Sequence, residues 1–92
     1  MENLKVVKER EKQEIAEALG KGLGIRRVEI QEGLQDGIYI VGLVLRIVNS
    51  RKFSRICERL EKLGFKVTFW LVGKHGFKSY ALWLWIRRRD RP

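Results

Sequence analysis

The chain has 92 residues, with 20 Lys and Arg against 11 Asp and Glu and a formal net charge of +9. That length supports one domain, residues 1–92, with a single modest core, and excludes an enzyme assembled from several lobes. The cationic excess is the electrostatic footprint of a phosphate binder, although solubility favours such a surface too.

The opening Met1-Glu2-Asn3-Leu4-Lys5 lacks the apolar run of a signal peptide, and no stretch reaches the ~18 apolar residues of a membrane span. A cytoplasmic protein with no membrane partner is expected. Charged residues make up 34% of the chain, a balance often met in thermophile proteins. From Asn3 to about Leu19 the residues Leu4, Val7, Ile15, Ala18 and Leu19 recur at roughly helical spacing, with Lys, Arg and Glu on the other face. Gly20-Lys21-Gly22-Leu23-Gly24 then ends the helix. Phosphate-binding glycine loops follow a strand and open a helix, whereas these glycines close one, so no nucleotide-binding loop is assigned.

Residues 25–32 and 38–48 read as two strands around Gly33-Leu34-Gln35-Asp36-Gly37. The second is apolar at nearly every position until Arg46, a charge that must reach water or a phosphate and so marks an open face or a strand end. The register of this first hairpin is left open by the pattern. Asn49 or Ser50 caps a second helix to Leu63, where Phe53, Ile56, Cys57, Leu60 and Leu63 form one stripe. Cys57, the only cysteine, is read there as a small hydrophobe in a reducing compartment. Gly64 stops the helix, and strands 65–72 and 77–87 follow around Gly73-Lys74-His75-Gly76.

The resulting α-β-β-α-β-β order suggests two weak helix-hairpin repeats, about 4–48 and 50–87, followed by a basic tail, 87–92. Leu23-Gly24-Ile25-Arg26 is matched by Leu63-Gly64-Phe65-Lys66 forty residues on. The expected fold class is α+β, a two-layer sandwich in which a four-stranded antiparallel sheet carries both helices on one face. Alternation in the second hairpin assigns Val67, Phe69 and Leu71 with Tyr80, Leu82, Leu84 and Ile86 to one face, and Thr68, Trp70 and Val72 with Ala81, Trp83 and Trp85 to the other. Pairing Val72 with Phe77 gathers Lys66, Thr68, Trp70, Ser79, Ala81, Trp83, Trp85 and Arg87 on one surface. Both faces are apolar, and a domain this small covers one, so the other needs a partner.

Trp70, Trp83 and Trp85 are therefore candidates for base stacking or for an isologous homodimer interface. Candidate nucleic-acid contacts are Arg26, Arg27, Arg46, Lys66, Lys74, His75, Lys78 and the tail cations Arg87, Arg88, Arg89 and Arg91. Four arginines in five residues repel one another and are relieved by an anion. The charges of the second helix, Arg51, Lys52, Arg55, Arg59 and Lys62, read as a solvated face. His75, the only histidine, stands beside neither a thiol nor an acid, so no metal, cofactor or small-molecule site is assigned.

The element order and the segment Ile15-Ala16-Glu17-Ala18-Leu19-Gly20-Lys21-Gly22, with Ile25-Arg26 after it, resemble a degenerate LAGLIDADG homing-endonuclease unit over about residues 15–87. In that family the first helix ends in a metal-binding acid and the sheet reads DNA. Here Gly20 and Gly22 stand where the acids fall, and the closing helix is absent. The resemblance thus implies a DNA-binding sheet without nuclease chemistry. The expected function is a small basic nucleic-acid-binding protein, non-catalytic, DNA favoured over RNA, and homodimeric. Two alternatives stay open: a protein-interaction module or inhibitor docking the tryptophan face, and a nuclease using Glu14, Glu17 or Glu29.

Overall fold

The computed structural model describes residues 3–89; Arg91, the outermost of the expected tail contacts, lies outside them. Helix α1 spans Leu4–Leu19, and the Asn3 side chain accepts a hydrogen bond from Lys5 N–H at 2.8 Å. Only its second half carries fully buried apolar residues: Ile15 and Leu19 are buried, whereas Leu4, expected on the stripe, is exposed. The glycine run reverses the chain through positive φ at Gly22 (69°) and Gly24 (67°), and buries Leu23 between them. Arg59 of the second helix donates to the carbonyls of Ala18, at 2.8 Å, and Lys21. One member of the expected solvated face thus satisfies acceptors that the end of α1 leaves without partners.

Strands β1 (Ile25–Glu32) and β2 (Ile38–Leu45) form the first hairpin, and α2 (Ser50–Lys62) follows with Asn49 accepting from Lys52 N–H at 2.8 Å. β2 ends three residues before the expected boundary, and Arg46 is exposed just beyond it. The second hairpin is β3 (Phe65–Gly76) and β4 (Ser79–Arg88). Its turn is Phe77-Lys78, with Lys78 at φ 53°, and not the expected Gly73–Gly76 stretch. Carrying the strands through Gly73 adds the pairs Gly73 with Ala81 and Lys74 with Tyr80, so Val72 faces Leu82 and not Phe77. The added ladder offsets the modest cost of a lysine in the left-handed region.

All neighbouring strands are antiparallel, in the order β1-β2-β4-β3. The fold is the expected α+β sandwich, with both helices packed on one face. From β2 and β4 the residues Tyr39, Val41, Leu43, Leu45, Leu82, Leu84 and Ile86 point inward to meet Ile15 and Leu19 of α1 and Ile56 and Leu60 of α2. Each such side chain removed from water contributes about 1.5–3 kcal/mol. The first hairpin's register is thereby decided: the odd-numbered positions of β2 from Tyr39 to Leu45 enter the core, and Ile38, Ile40 and Val44 turn outward.

A polar clamp closes one end of this core. Arg88 holds the Glu11 carboxylate with two nitrogens, one at 2.7 Å through Nε, and the buried Tyr39 hydroxyl donates to the same carboxylate at 2.6 Å. Burial pushes the Glu11 carboxyl up, but the hydrogen bonds from Arg88 and Tyr39 outweigh it and hold the group below its usual value. The Tyr39 hydroxyl is pushed well above its ordinary value, first by burial and then by the carboxylate beside it.

Layer lengths do not match. By helical and strand rise α2 is about 20 Å long and β3 about 40 Å, so α2 covers only the first half of β3. The remainder of the second hairpin extends past the helices as an arm, and the molecule measures 47 × 23 × 23 Å.

Candidate nucleic-acid interface

The face opposite the helices is assembled by the sheet register. β2 contributes Ile38, Ile40, Gly42 and Val44, and β4 contributes Ala81, Trp83, Trp85 and Arg87 directly across from them. β1 adds Arg27, Glu29 and Gln31 along one side. On β3 a bulge at Thr68 inserts one residue between the pairs Val67–Ile86 and Phe69–Trp85. Parity therefore reverses along β3: Lys66 lies on the open face before the bulge, and Phe69, Leu71 and Gly73 lie there after it. The Thr68 hydroxyl donates to the Trp85 carbonyl at 3.1 Å, tying the bulge to β4.

This bulge corrects the expected tryptophan surface. Trp70 and Val72 are turned to the helix side, where Trp70 packs against Phe53 of α2 with ring centroids 5.1 Å apart. Its place is taken by Phe69, whose ring meets Trp85 edge-on at 5.3 Å and 64°. Trp83 lies over Gly42: a Cβ on that glycine would stand 2.9 Å from Trp83 Cε3. A glycine inside an otherwise apolar strand is the sequence signal for such a close approach. The Thr68 bulge has no comparable signal.

The candidate cations separate to two ends of this apolar field. Arg26, in a bulge of β1, lies near Arg27 and Arg46, because Ile25 pairs with Leu45. Leu45 in turn pairs with Tyr80, and Tyr80 with Lys74, so Lys74 and His75 are at the same end, with Lys74 turned to the helix side like Trp70 and Val72, and Lys78 lies beyond them in the turn. Lys66, Arg87, Arg88 and Arg89 lie at the other end, about 25 Å away by strand rise. Arg26, Arg46, Lys66 and Lys74 form no ion pair with the described residues. Arg27 pairs with Glu29 at 2.5 Å, both exposed, and Arg89 approaches Glu61 at 3.9 Å, contacts of little energetic weight in water. Arg88 is engaged by Glu11 and lies 3.6 Å from Asp36, which makes it part of the clamp. His75 Nδ1 is 3.4 Å from Ser79 Oγ, across the turn.

The acids named for a nuclease do not converge. Glu14 and Glu17 are on α1 above one side of the sheet, and Glu29 is on the other side. Among the described residues no three of His, Cys, Asp and Glu come together, and no helix is long and apolar enough to cross a membrane. Cys57 is half-buried, and its thiol is pushed up, first by burial and then by Glu61.

No known family profile matches the chain, and no curated protein matches its sequence.

Proposed function

We propose that this protein binds nucleic acid with exposed bases, single-stranded DNA in the first instance, and catalyses no reaction on it. The observation that carries this is the uncovered aromatic field of Trp83, Trp85 and Phe69 bracketed by two cationic ends. A duplex presents phosphates and sugars outward, and the apolar centre of this face, with Ile40, Val44 and Leu71, would strip them of water without return. Unstacked bases instead offer apolar π faces that aromatic rings can receive while cations on either side hold the backbone. Arg26, Arg27 and Arg46 serve one end of the strand, and Lys66 and Arg87 the other. DNA is placed ahead of RNA by the resemblance to a DNA-reading family, whose acids this chain replaces with Gly20 and Gly22.

The test is a titration of a labelled oligonucleotide, followed by anisotropy and by tryptophan emission, over a series of salt concentrations. Five engaged cations give a log-log salt slope of about −3.5, at ~0.7 per phosphate on a single strand. Tryptophan emission is expected to fall on binding. An affinity independent of salt, or unchanged emission, refutes the proposal, and tighter binding of duplex refutes its single-stranded form. RNA of the same sequence in the same titration decides the sugar.

A further inference from the structure

From Phe69 onward the second hairpin has more apolar surface than its own chain covers. Phe69 is 54% exposed, Trp70 50%, Leu71 50% and Val72 43%, on alternating faces, and Phe77 at the turn is 89% exposed. β3 also ends the sheet, so the outer row of its backbone N–H and C=O groups pairs with no strand among the described residues. From Val67 to Gly73 this edge carries no charge and no proline, and its one bulge, at Thr68, lies before the regular run Phe69–Gly73, which none of the devices that ordinarily block exposed edges interrupts. The opposite edge is blocked. β1 has Arg26 in a bulge, Arg27, Glu29 and Glu32, and Glu32 is tied to Lys8 at 3.3 Å and Lys12 at 3.1 Å on α1.

We propose that the β3 edge is the docking site of a second copy of this chain, joining two four-stranded sheets into one of eight strands. The edge suits itself. In an antiparallel pair about a two-fold axis perpendicular to the sheet, each face stays on its own side only if one residue stands opposite its own copy. With Leu71 in that position, Phe69 faces Gly73 of the other copy on the open side, and Trp70 faces Val72 on the helix side. A Cβ on Gly73 would meet nothing within 4 Å, so the space a facing phenylalanine needs is present. Aromatic side chains bury roughly 150–250 Å² each, so at these exposures Phe69 to Val72 supply at most about 400 Å² of side chain per copy. With the paired backbone added, this nears the ~600 Å² per partner at the lower bound of specific interfaces.

Pairing through the edge leaves Trp83 and Trp85 facing solvent, so dimer formation and base stacking do not compete for one surface. The open faces of the two copies become one, with the outer β1 strands about 34 Å apart at ordinary strand spacing.

The test uses the full chain alone, so its outcome is independent of the nucleic-acid proposal. Sedimentation equilibrium is expected to give twice the 10.9 kDa chain mass. Trp70→Lys, placed on the helix side of the arm, is expected to raise the dimer dissociation constant about thirtyfold or more. In a Cys57→Ser background, Leu71→Cys is expected to form a disulfide-linked dimer under mild oxidation, because opposed Cα atoms at about 4.5–5.5 Å lie within disulfide reach. The same substitution at Ile40, in the centre of the open face, is expected to form none. A protein monomeric at every concentration overturns the proposal. So does a dimer that cross-links through Ile40→Cys and not Leu71→Cys, or one that a folded Trp70→Lys leaves unchanged.

Discussion

Glu11→Gln is expected to lower stability, because the substitution removes the charge on which two other groups depend. Arg88 keeps its guanidinium against this carboxylate, and the buried Tyr39 hydroxyl donates to it. Severing a buried ion pair costs about 3–5 kcal/mol. Here the Arg88 side chain is 33% exposed and the Glu11 side chain 15%, and glutamine keeps an acceptor for Tyr39, so about 1.5–2.5 kcal/mol is expected after allowing for water at the arginine. For a domain of this size, that is a fall in Tm of roughly 6–20 °C. The sign of the pH dependence follows from the lowered Glu11 value. A carboxylate held below its unfolded value stabilises the fold fully above that unfolded value, near 4.5, and loses the contribution as pH falls through the lower, folded one. Thermal melts of the native protein and Glu11→Gln, followed by circular dichroism, should therefore differ most at neutral pH and converge on acidification. A Tm change under about 3 °C at pH 7, or a difference that widens as pH falls, refutes the clamp. Arg88→Met should reproduce the loss of stability, which would separate Arg88 from the arginines proposed for binding.

Three further outcomes are expected. Trp85→Ala should weaken single-strand binding by about 1–3 kcal/mol, whereas Trp70→Ala, off the open face, should leave oligonucleotide affinity within twofold; equal losses in anisotropy titrations would refute the face assignment. Gly42→Ala should displace the Trp83 ring and cost about 1–3 kcal/mol, read as a lower denaturant midpoint together with altered tryptophan emission; an unchanged spectrum would refute the close approach. Arg59→Ala should lose about 1–2 kcal/mol by uncapping the carbonyls of Ala18 and Lys21, with the denaturant m-value unchanged; a midpoint equal to that of the native protein would show the contact to be idle.

The element order was legible because it depends on local patterns. Phe53, Ile56, Leu60 and Leu63 recur at helical spacing, Asn49 is a capping side chain, and glycines punctuate both hairpins. Two apolar faces on the second hairpin likewise announced surface that the chain itself leaves uncovered. What escaped were features set by pairing partners. The bulge at Thr68 depends on how β3 aligns with β4, and one inserted residue exchanges Trp70 for Phe69 on the open face. The turn at Phe77-Lys78 escaped for a related reason: glycines that look like a turn are accepted inside an edge strand when longer pairing is gained.

Sequence alone thus determined the α+β architecture, the cationic balance and the presence of an unpartnered apolar surface, all of which follow from residue type and period. Tertiary structure decided which residues share that surface, that Arg88 serves Glu11 across 77 positions of chain, and that the other candidate cations gather at two ends of the sheet. Register and long-range ion pairs are properties of two segments brought together, and neither segment carries them by itself.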